Sequence, residues 1–297
     1  MIRNGGSGFS GWGNGTGGFG GVIRFDRFLA EGSGCVEAYP AGGAPVTCAQ
    51  LPAVGRKLVG HGILTGTTPG DWVITRSAFL RNTVNGIDLV AHTGGGANTI
   101  ERSRFQGNAG YQMELTGPTL LRNSVVVADC GYFEDKPYKG TVTQCLGRGN
   151  AFLVVMSAGQ QTRLFNNTIY GEGDCLLDLE GMASVVARNN VFLAGSSRVV
   201  PGRQVCFEYH DPPELIFDND YAVIWNAVDD PCPLGPNDLC MDPMLMNTSP
   251  LGFDARLRAG SPALHSGTAV TGDVPVIDID GITRPQGNGV DRGAHEQ

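Results

Sequence analysis

Ile74-Thr75-Arg76-Ser77-Ala78-Phe79 is followed 26 residues later by Ile100-Glu101-Arg102-Ser103-Arg104-Phe105. Both read as a β-type pair, then Arg, then a small polar residue, then a β-former. The pattern returns as Leu120-Leu121-Arg122-Asn123-Ser124-Val125, Leu164-Phe165-Asn166-Asn167-Thr168 and Ala187-Arg188-Asn189-Asn190-Val191. A degenerate copy is Phe217-Asp218-Asn219-Asp220-Tyr221. The Ser/Asn position steps by 26, 20, 43, 23 and 30 residues. The step of 43 is either two repeats or one repeat with an inserted loop. Periods of this size belong to solenoids and are too short for propeller blades.

Each copy is followed by a second strand-like segment. These are Gly86-Ile87-Asp88-Leu89-Val90, Gln112-Met113-Glu114-Leu115, Ala151-Phe152-Leu153-Val154-Val155, Leu177-Asp178-Leu179-Glu180 and Phe207-Glu208-Tyr209-His210. Most alternate apolar and polar residues, the period-2 mark of a half-buried strand. One repeat cannot bury its own inner face, so neighbours must stack. The sequence therefore predicts an all-β fold, a right-handed parallel β-helix, over residues 1–241, with a C-terminal capping segment over 242–297. Asn123, Asn166, Asn189 and Asn219 are expected to stack at one turn, where Asn tolerates left-handed backbone. The glycine-rich residues 1–55 are read as early turns of the same coil, or as a mobile Gly/Ser arm.

This repeat resembles that of the pectate-lyase-like superfamily of parallel β-helices, over roughly residues 55–225. The carboxy-terminal stretch carries a second resemblance. Asp242-Pro243-Met244, Phe253-Asp254-Ala255-Arg256-Leu257, Gly260-Ser261-Pro262-Ala263-Leu264, Gly267, Asp280-Gly281, Arg284-Pro285 and Asp291-Arg292-Gly293-Ala294-His295-Glu296 occur in order. They resemble the closing segment of bacterial β-helix proteins labelled choice-of-anchor Q. His265, Arg292 and His295 depart from that pattern, which has an acidic, an apolar and an aromatic residue there. The resemblance implies an exported bacterial protein and does not imply an enzyme. Asp280, Arg284, Asp291 and Glu296 read as structural pairs that hold the tail over the last repeat, whose edge would otherwise be open.

Composition narrows the partners. The net charge of −8 excludes the basic patch that nucleic-acid binding needs. No apolar run approaches the length of a membrane span. A monomer is expected. The eight cysteines form no C-x-x-C pair and suit disulfides in an oxidising compartment, secreted or at the cell surface. Short loops would be closed by Cys35–Cys48, Cys130–Cys145 and Cys232–Cys240, which leaves Cys175 and Cys206 at nearly equivalent repeat positions; buried free thiols are the alternative. Met1-Ile2-Arg3-Asn4-Gly5-Gly6 shows no signal-peptide pattern.

Stacking the second strand segments aligns Asp88, Glu114, Leu153, Asp178 and Glu208 in one outward column. Val90, Thr116, Val155, Glu180 and His210 form the next. Carboxylates one or two strands apart would be ~5–10 Å from one another, which covers the glycosidase spacings. Asp178, Glu180, Glu208 and His210 are the acid–base candidates, and Asp178 with Glu208 could ligate calcium. Asp88 and Glu114 would contact substrate. A solvated acidic face is the bland alternative. Arg76, Arg102, Arg122 and Arg188 occupy one repeat position and would pair with acids or with a uronate polymer. The excursion Tyr132-Phe133-Glu134-Asp135-Lys136-Pro137-Tyr138-Lys139 offers an aromatic lip. Tyr132 and Arg148 would bind sugar, and Lys136, Lys139 or Arg148 would supply the base for β-elimination. Gly60-His61-Gly62 resembles a polygalacturonase-type histidine motif without its paired aspartates, so His61 reads as structural. The expected function is polysaccharide cleavage, by a lyase or a glycoside hydrolase. The alternative is a non-catalytic glycan-binding or adhesin solenoid.

Overall fold

The computed structural model describes residues 7–11, 21–34, 60–65, 70–89, 96–129, 131–132, 152–155, 160–180, 183–211, 216–229, 232–270, 272 and 274–297. Among these the protein is all-β, with one short 3-10 turn at Pro250–Gly252. Three seven-stranded sheets are parallel throughout, and the chain visits them in turn. The first sheet holds β1 (Phe9–Gly11), β4 (Ile63–Thr65), β7 (Ile87–Leu89), β10 (Met113–Thr116), β13 (Phe152–Val155), β16 (Cys175–Glu180) and β19 (Cys206–Asp211). The second holds β2 (Val22–Asp26), β5 (Asp71–Thr75), β8 (Asn98–Glu101), β11 (Thr119–Arg122), β14 (Gln160–Phe165), β17 (Ala183–Arg188) and β20 (Ile216–Asp220). The third holds β3 (Leu29–Glu31), β6 (Ala78–Leu80), β9 (Arg104–Gln106), β12 (Val125–Ala128), β15 (Thr168–Gly171), β18 (Val191–Ala194) and β21 (Val223–Trp225). Each round of three strands lies on the one before, an order compatible with a parallel β-helix. The glycine-rich start contributes β1–β3, the first round. The 43-residue step is one round with an insertion, because β11 pairs directly with β14.

The rounds enclose a continuous apolar core. Ile87, Met113, Ile100, Leu121, Phe105, Val126, Leu164 and Phe192 are all fully buried within it. Phe79 stacks on Phe105 with centroids 4.9 Å apart.

Two buried polar ladders fix the register. The first runs through the turn between the second and third sheets. The Ser103 hydroxyl accepts the backbone N–H of Ser77, 3.1 Å, and the Ser124 hydroxyl that of Ser103, 3.2 Å. The Asn167 amide oxygen accepts from Ser124 N–H, 3.0 Å, and that of Asn190 from Asn167 N–H, 2.9 Å. Each rung thus satisfies a backbone donor that water does not reach. The second ladder lies at the turn from the third sheet back to the first. Asn82 Oδ1 accepts from Ser33 N–H, Asn108 Oδ1 from Asn82 N–H, and Gln112 Oε1 from Asn108 N–H. Asn82 and Asn108 are 26 residues apart, the same step as Ser77 to Ser103.

The residue before the first ladder is left-handed in every round. Arg27, Arg76, Arg102, Asn123, Asn166, Asn189 and Tyr221 all have φ between 49° and 58°. This corrects two expected columns. Arg76 and Arg102 align with Asn123, while Arg122 and Arg188 stand one position earlier, beside Glu101 and Asp220. Asn219 pairs with Ala187, so Tyr221 takes the place expected for it.

The carboxy-terminal segment does not cover the last round. Residues 226–229 and 232–240 do: Leu239 bridges Val223, Val228 bridges Cys206, and Cys232 is disulfide-bonded to Cys240. The described residues of 242–297 instead form a strap along the outer face of the third sheet. Its antiparallel pair β22 (Leu245–Asn247) and β23 (Asp254–Leu257) leads it. Leu245, Phe253, Ala255, Leu257, Ala263 and Ala294 pack on Val125, Val127, Tyr170, Val191, Leu193 and Val223. β12 and β18 are therefore apolar on both faces, which explains the unbroken runs Val125–Ala128 and Val191–Ala194. The left-handed asparagines dock the strap. Asn123 Nδ2 donates to Ile277 O, Asn166 Nδ2 to Asp291 O, 3.0 Å, and Asn189 Nδ2 to Thr268 O, 2.8 Å.

Inside the strap Arg284 and Glu296 form a pair of the expected kind, while Asp280 lies against His295. Buried Arg284 donates to Glu296, 2.7 Å, and to Asn123 Oδ1, 3.2 Å. Asp291 accepts backbone N–H from His265 and Gln297. Arg292 joins strap to end cap through Ala222 O, 2.8 Å, and Asn237 O, 3.0 Å. Its burial pushes the guanidinium down to about 10.

Replacing Asn167 by Ala removes an acceptor for Ser124 N–H and a donor to Leu121 O, 2.9 Å, with both groups left dry. At ~1–3 kcal/mol for each unsatisfied group, urea unfolding should show a loss of about 2–6 kcal/mol. Glu31→Gln, at a half-exposed position, should change stability by less than about 1 kcal/mol.

Candidate active site

The outer face of the first sheet carries the acidic column. Ile87, Leu89, Met113 and Leu115 point into the core, so Asp88 and Glu114 point out. Register places Asp88 beside Glu114, Glu114 beside Leu153, and Leu153 beside Asp178. The next outward position runs Thr116, Val155, Glu180. β19 breaks the expected column. Glu208 aligns with Leu177 and His210 with Leu179, while Tyr209 and Asp211 align with Asp178 and Glu180. The expected alignment of Glu208 with Asp178 is one residue out of this register, and Phe207, next to Glu208, packs in the core. The described part of His210 is its backbone. Asp178 is 2% exposed although its position is outward.

Glu114 is the perturbed group of this face. Burial first, and then repulsion from Asp88, raises its carboxyl to about 7, against the Asn85 hydrogen bond that lowers it. Glu180 and Asp178 add smaller repulsions. Asn85 Nδ2 donates to Glu114 Oε2 at 2.5 Å, and Asn85 Oδ1 accepts the N–H of Tyr111, 3.0 Å. The carboxyl is thus held from the turn preceding β7.

His61 joins the same face. Its Nδ1 lies 3.6 Å from Asp88 Oδ2, and burial drops its pKa to about 4, so the ring is neutral at pH 7. Gly62 and Gly86 place it there. A Cβ on Gly62 would lie 2.3 Å from Gly86 O, and one on Gly86 2.4 Å from Gln112 O. Successive rounds therefore approach closely just before β4, β7 and β10. In the sequence His61 reads as structural because the paired aspartates of the motif it resembles are missing, and Asn85 is not singled out. The Gly-His-Gly spacing against Asn85-Gly86-Ile87-Asp88 was the available signal.

Tyr132 sits elsewhere, under Arg81, whose Cζ is 4.7 Å from the ring centroid. Beside this turn, Glu172 accepts from Tyr170 Oη, 3.0 Å, and Arg198 Nε, 3.0 Å. Burial raises the Asp129 and Glu172 carboxyls, but both oxygens of Glu172 are engaged, which marks a structural network. Lys136, Lys139, Arg148, Val90 and Cys35, Cys48, Cys130 and Cys145 lie outside the described residues. Cys175 is bonded to Cys206, and Cys232 to Cys240.

Among the described residues, the acidic column does not bring three ligand atoms within 4.8 Å of one another. It does not present the roughly six to eight oxygens that calcium takes. Two other groups do meet that spacing: Asp174 with Cys175 and Cys206, whose sulfurs are bonded to each other, and Asp278 with Asp280 and His295. No helix among the described residues is long and apolar enough to cross a membrane.

Comparison with protein-family models, with curated proteins and with solved structures finds no match in any of the three. The resemblances seen in the repeat and in the carboxy-terminal pattern thus rest on those motifs alone.

A raised carboxyl gives stability a pH slope. Below pH 4.5 Glu114 is protonated in both states and costs nothing. As pH rises to about 7 the unfolded chain ionises first, so stability falls across that window and then levels. His61, depressed to about 4, acts oppositely between about 4 and 6.5. Urea unfolding of Glu114→Gln should therefore gain stability relative to the parent between pH 4.5 and 7, and equal displacement at every pH would contradict the shift.

Proposed function

We propose that the protein is a carbohydrate-active, right-handed parallel β-helix of the secreted or surface-displayed kind, which hydrolyses a polysaccharide along the outer face of its first sheet. The observation that carries this reading is the Asp88–Glu114 pair. The two stand at paired positions on adjacent strands, ~4.8 Å apart in the backbone. One of them holds its proton up to about pH 7. Two carboxyls near 5 Å suit a retaining glycosidase, and the wider spacing of an inverting one is met only two strands away, at Asp178.

In this reading Glu114 gives its proton to the glycosidic oxygen as that bond breaks. Asp88 bonds to the anomeric carbon. Water then attacks the same carbon, loses a proton to Glu114, and frees the Asp88 carboxylate. His61 and Asn85 hold the two acids in place. Handedness follows from the strong preference of parallel crossovers. Two disulfides fit an oxidising compartment. Glycan binding without cleavage is the second reading, favoured by the burial of Asp178, which withdraws one acid of the column from a ligand.

A panel of polysaccharides, followed by reducing ends and by absorbance near 235 nm, tests the proposal. Release of reducing ends without unsaturated product is expected, falling ~10²–10⁴-fold in Asp88→Asn and Glu114→Gln, with folding checked by circular dichroism. Activity that survives both substitutions, or an unsaturated product abolished by chelator, would replace hydrolysis at this pair.

A further inference from the structure

The strap carries a cluster that the glycan-cleaving face does not use. Asp278 and Asp280 come from one turn of the strap, and His295 from the tail, two residues before Gln297. One ligand atom from each lies within 4.8 Å of the other two. His295 Nδ1 and Asp280 Oδ2 are 3.0 Å apart. Ligands about 2.0–2.2 Å from a tetrahedral ion are roughly 3.3 Å from one another, so a small movement would admit the ion.

The supporting geometry is already in place. Asp278 is fully buried, and its two oxygens accept the N–H groups of Ile282, 2.7 Å, and Glu296, 2.9 Å. These bonds orient the carboxylate, as outer partners of metal ligands do, and leave each oxygen a further lone pair. Ile279 N–H donates to Ala294 O, 3.0 Å, which ties the backbone of the turn to that of the tail. The buried Arg284–Glu296 pair fixes the tail beneath. Asp280, by contrast, has its side chain 57% exposed and gives an ion a path from solvent. Two carboxylates face one imidazole; of the cations around them, Arg256 is held by Asp254, Arg284 by Glu296, and Arg102 donates to Ile279 O, 3.4 Å.

We infer that Asp278, Asp280 and His295 form a binding site for a divalent transition ion of the zinc type, which clips the tail of the strap to its central turn. The donor set selects the class. An imidazole with two carboxylates suits Zn²⁺, with water as a fourth ligand, whereas calcium prefers an all-oxygen shell. The pattern resembled by this segment has an aromatic residue where His295 stands, so the ligand is a feature of this chain and an aromatic replacement should keep the fold.

Chelator-treated full-length protein is titrated with zinc sulfate by calorimetry, and its thermal unfolding is followed with and without the metal. One equivalent should bind, and Tm should rise with zinc concentration, because the ion binds the folded state. His295→Phe and Asp280→Ala should each weaken binding at least ~10-fold and abolish the Tm rise while circular dichroism is unchanged. The absence of stoichiometric binding in the parent overturns the site. So does binding in both variants equal to that of the parent, which would place the ion at another histidine. None of these readouts depends on glycan cleavage.

Discussion

The structure depends on satisfying backbone donors at turns that are packed away from water. A round of three short strands turns sharply, and at each turn an N–H group faces the neighbouring round rather than solvent. Ser77, Ser103, Ser124, Asn167 and Asn190 meet this need at one turn, and Asn82, Asn108 and Gln112 at another. Except at Gln112, which accepts from Asn108 of its own round, the side-chain oxygen of one round accepts from the main chain of the round before. A slip of one residue would bury unpaired groups along the whole ladder, so the register is held against sliding. The alignment of Asp88 with Glu114 follows from that register.

The same turn divides labour between adjacent residues. The ladder residue points in. The left-handed residue before it points out, and at Asn123, Asn166 and Asn189 it is an asparagine that docks the strap. The strap can lie there because the third sheet presents valines, leucine and tyrosine outward. The first sheet presents Asp88 and Glu114 instead. One face is thus closed by the protein's own tail, and another carries groups whose charges raise one another's energy.

Much of this was legible in the sequence. The period announced itself because every round needs the same polar residue at the same turn, and the strands of the first sheet alternated as half-buried strands do. The column Asp88, Glu114, Asp178 followed from that alternation. Three things were not legible. The register of β19 was misread by one residue because Cys175 and Cys206 align with an interval of 31, and no turn residue marks the extra step. The arginine column dissolved because Arg122 and Arg188 belong to the strand and Arg76 and Arg102 to the turn. The strap was expected over the last round, yet Val125–Ala128 and Val191–Ala194 had no polar face to offer water, and that continuous apolar pattern predicts a covered sheet. His61 came to the acidic face through a round-to-round contact, and contacts of that kind have no signature in a single segment.

The central claim is that the register brings Asp88 and Glu114 together on a partly desolvated face. The most direct test is the carboxyl titration of Glu114 by NMR, in the parent and in Asp88→Asn. The account predicts a midpoint near 7 that moves down, though not to the ordinary value, because burial is the larger cause and Asp88 the second. A Glu114 that titrates near 4.5, and is unmoved by the loss of Asp88, would contradict it.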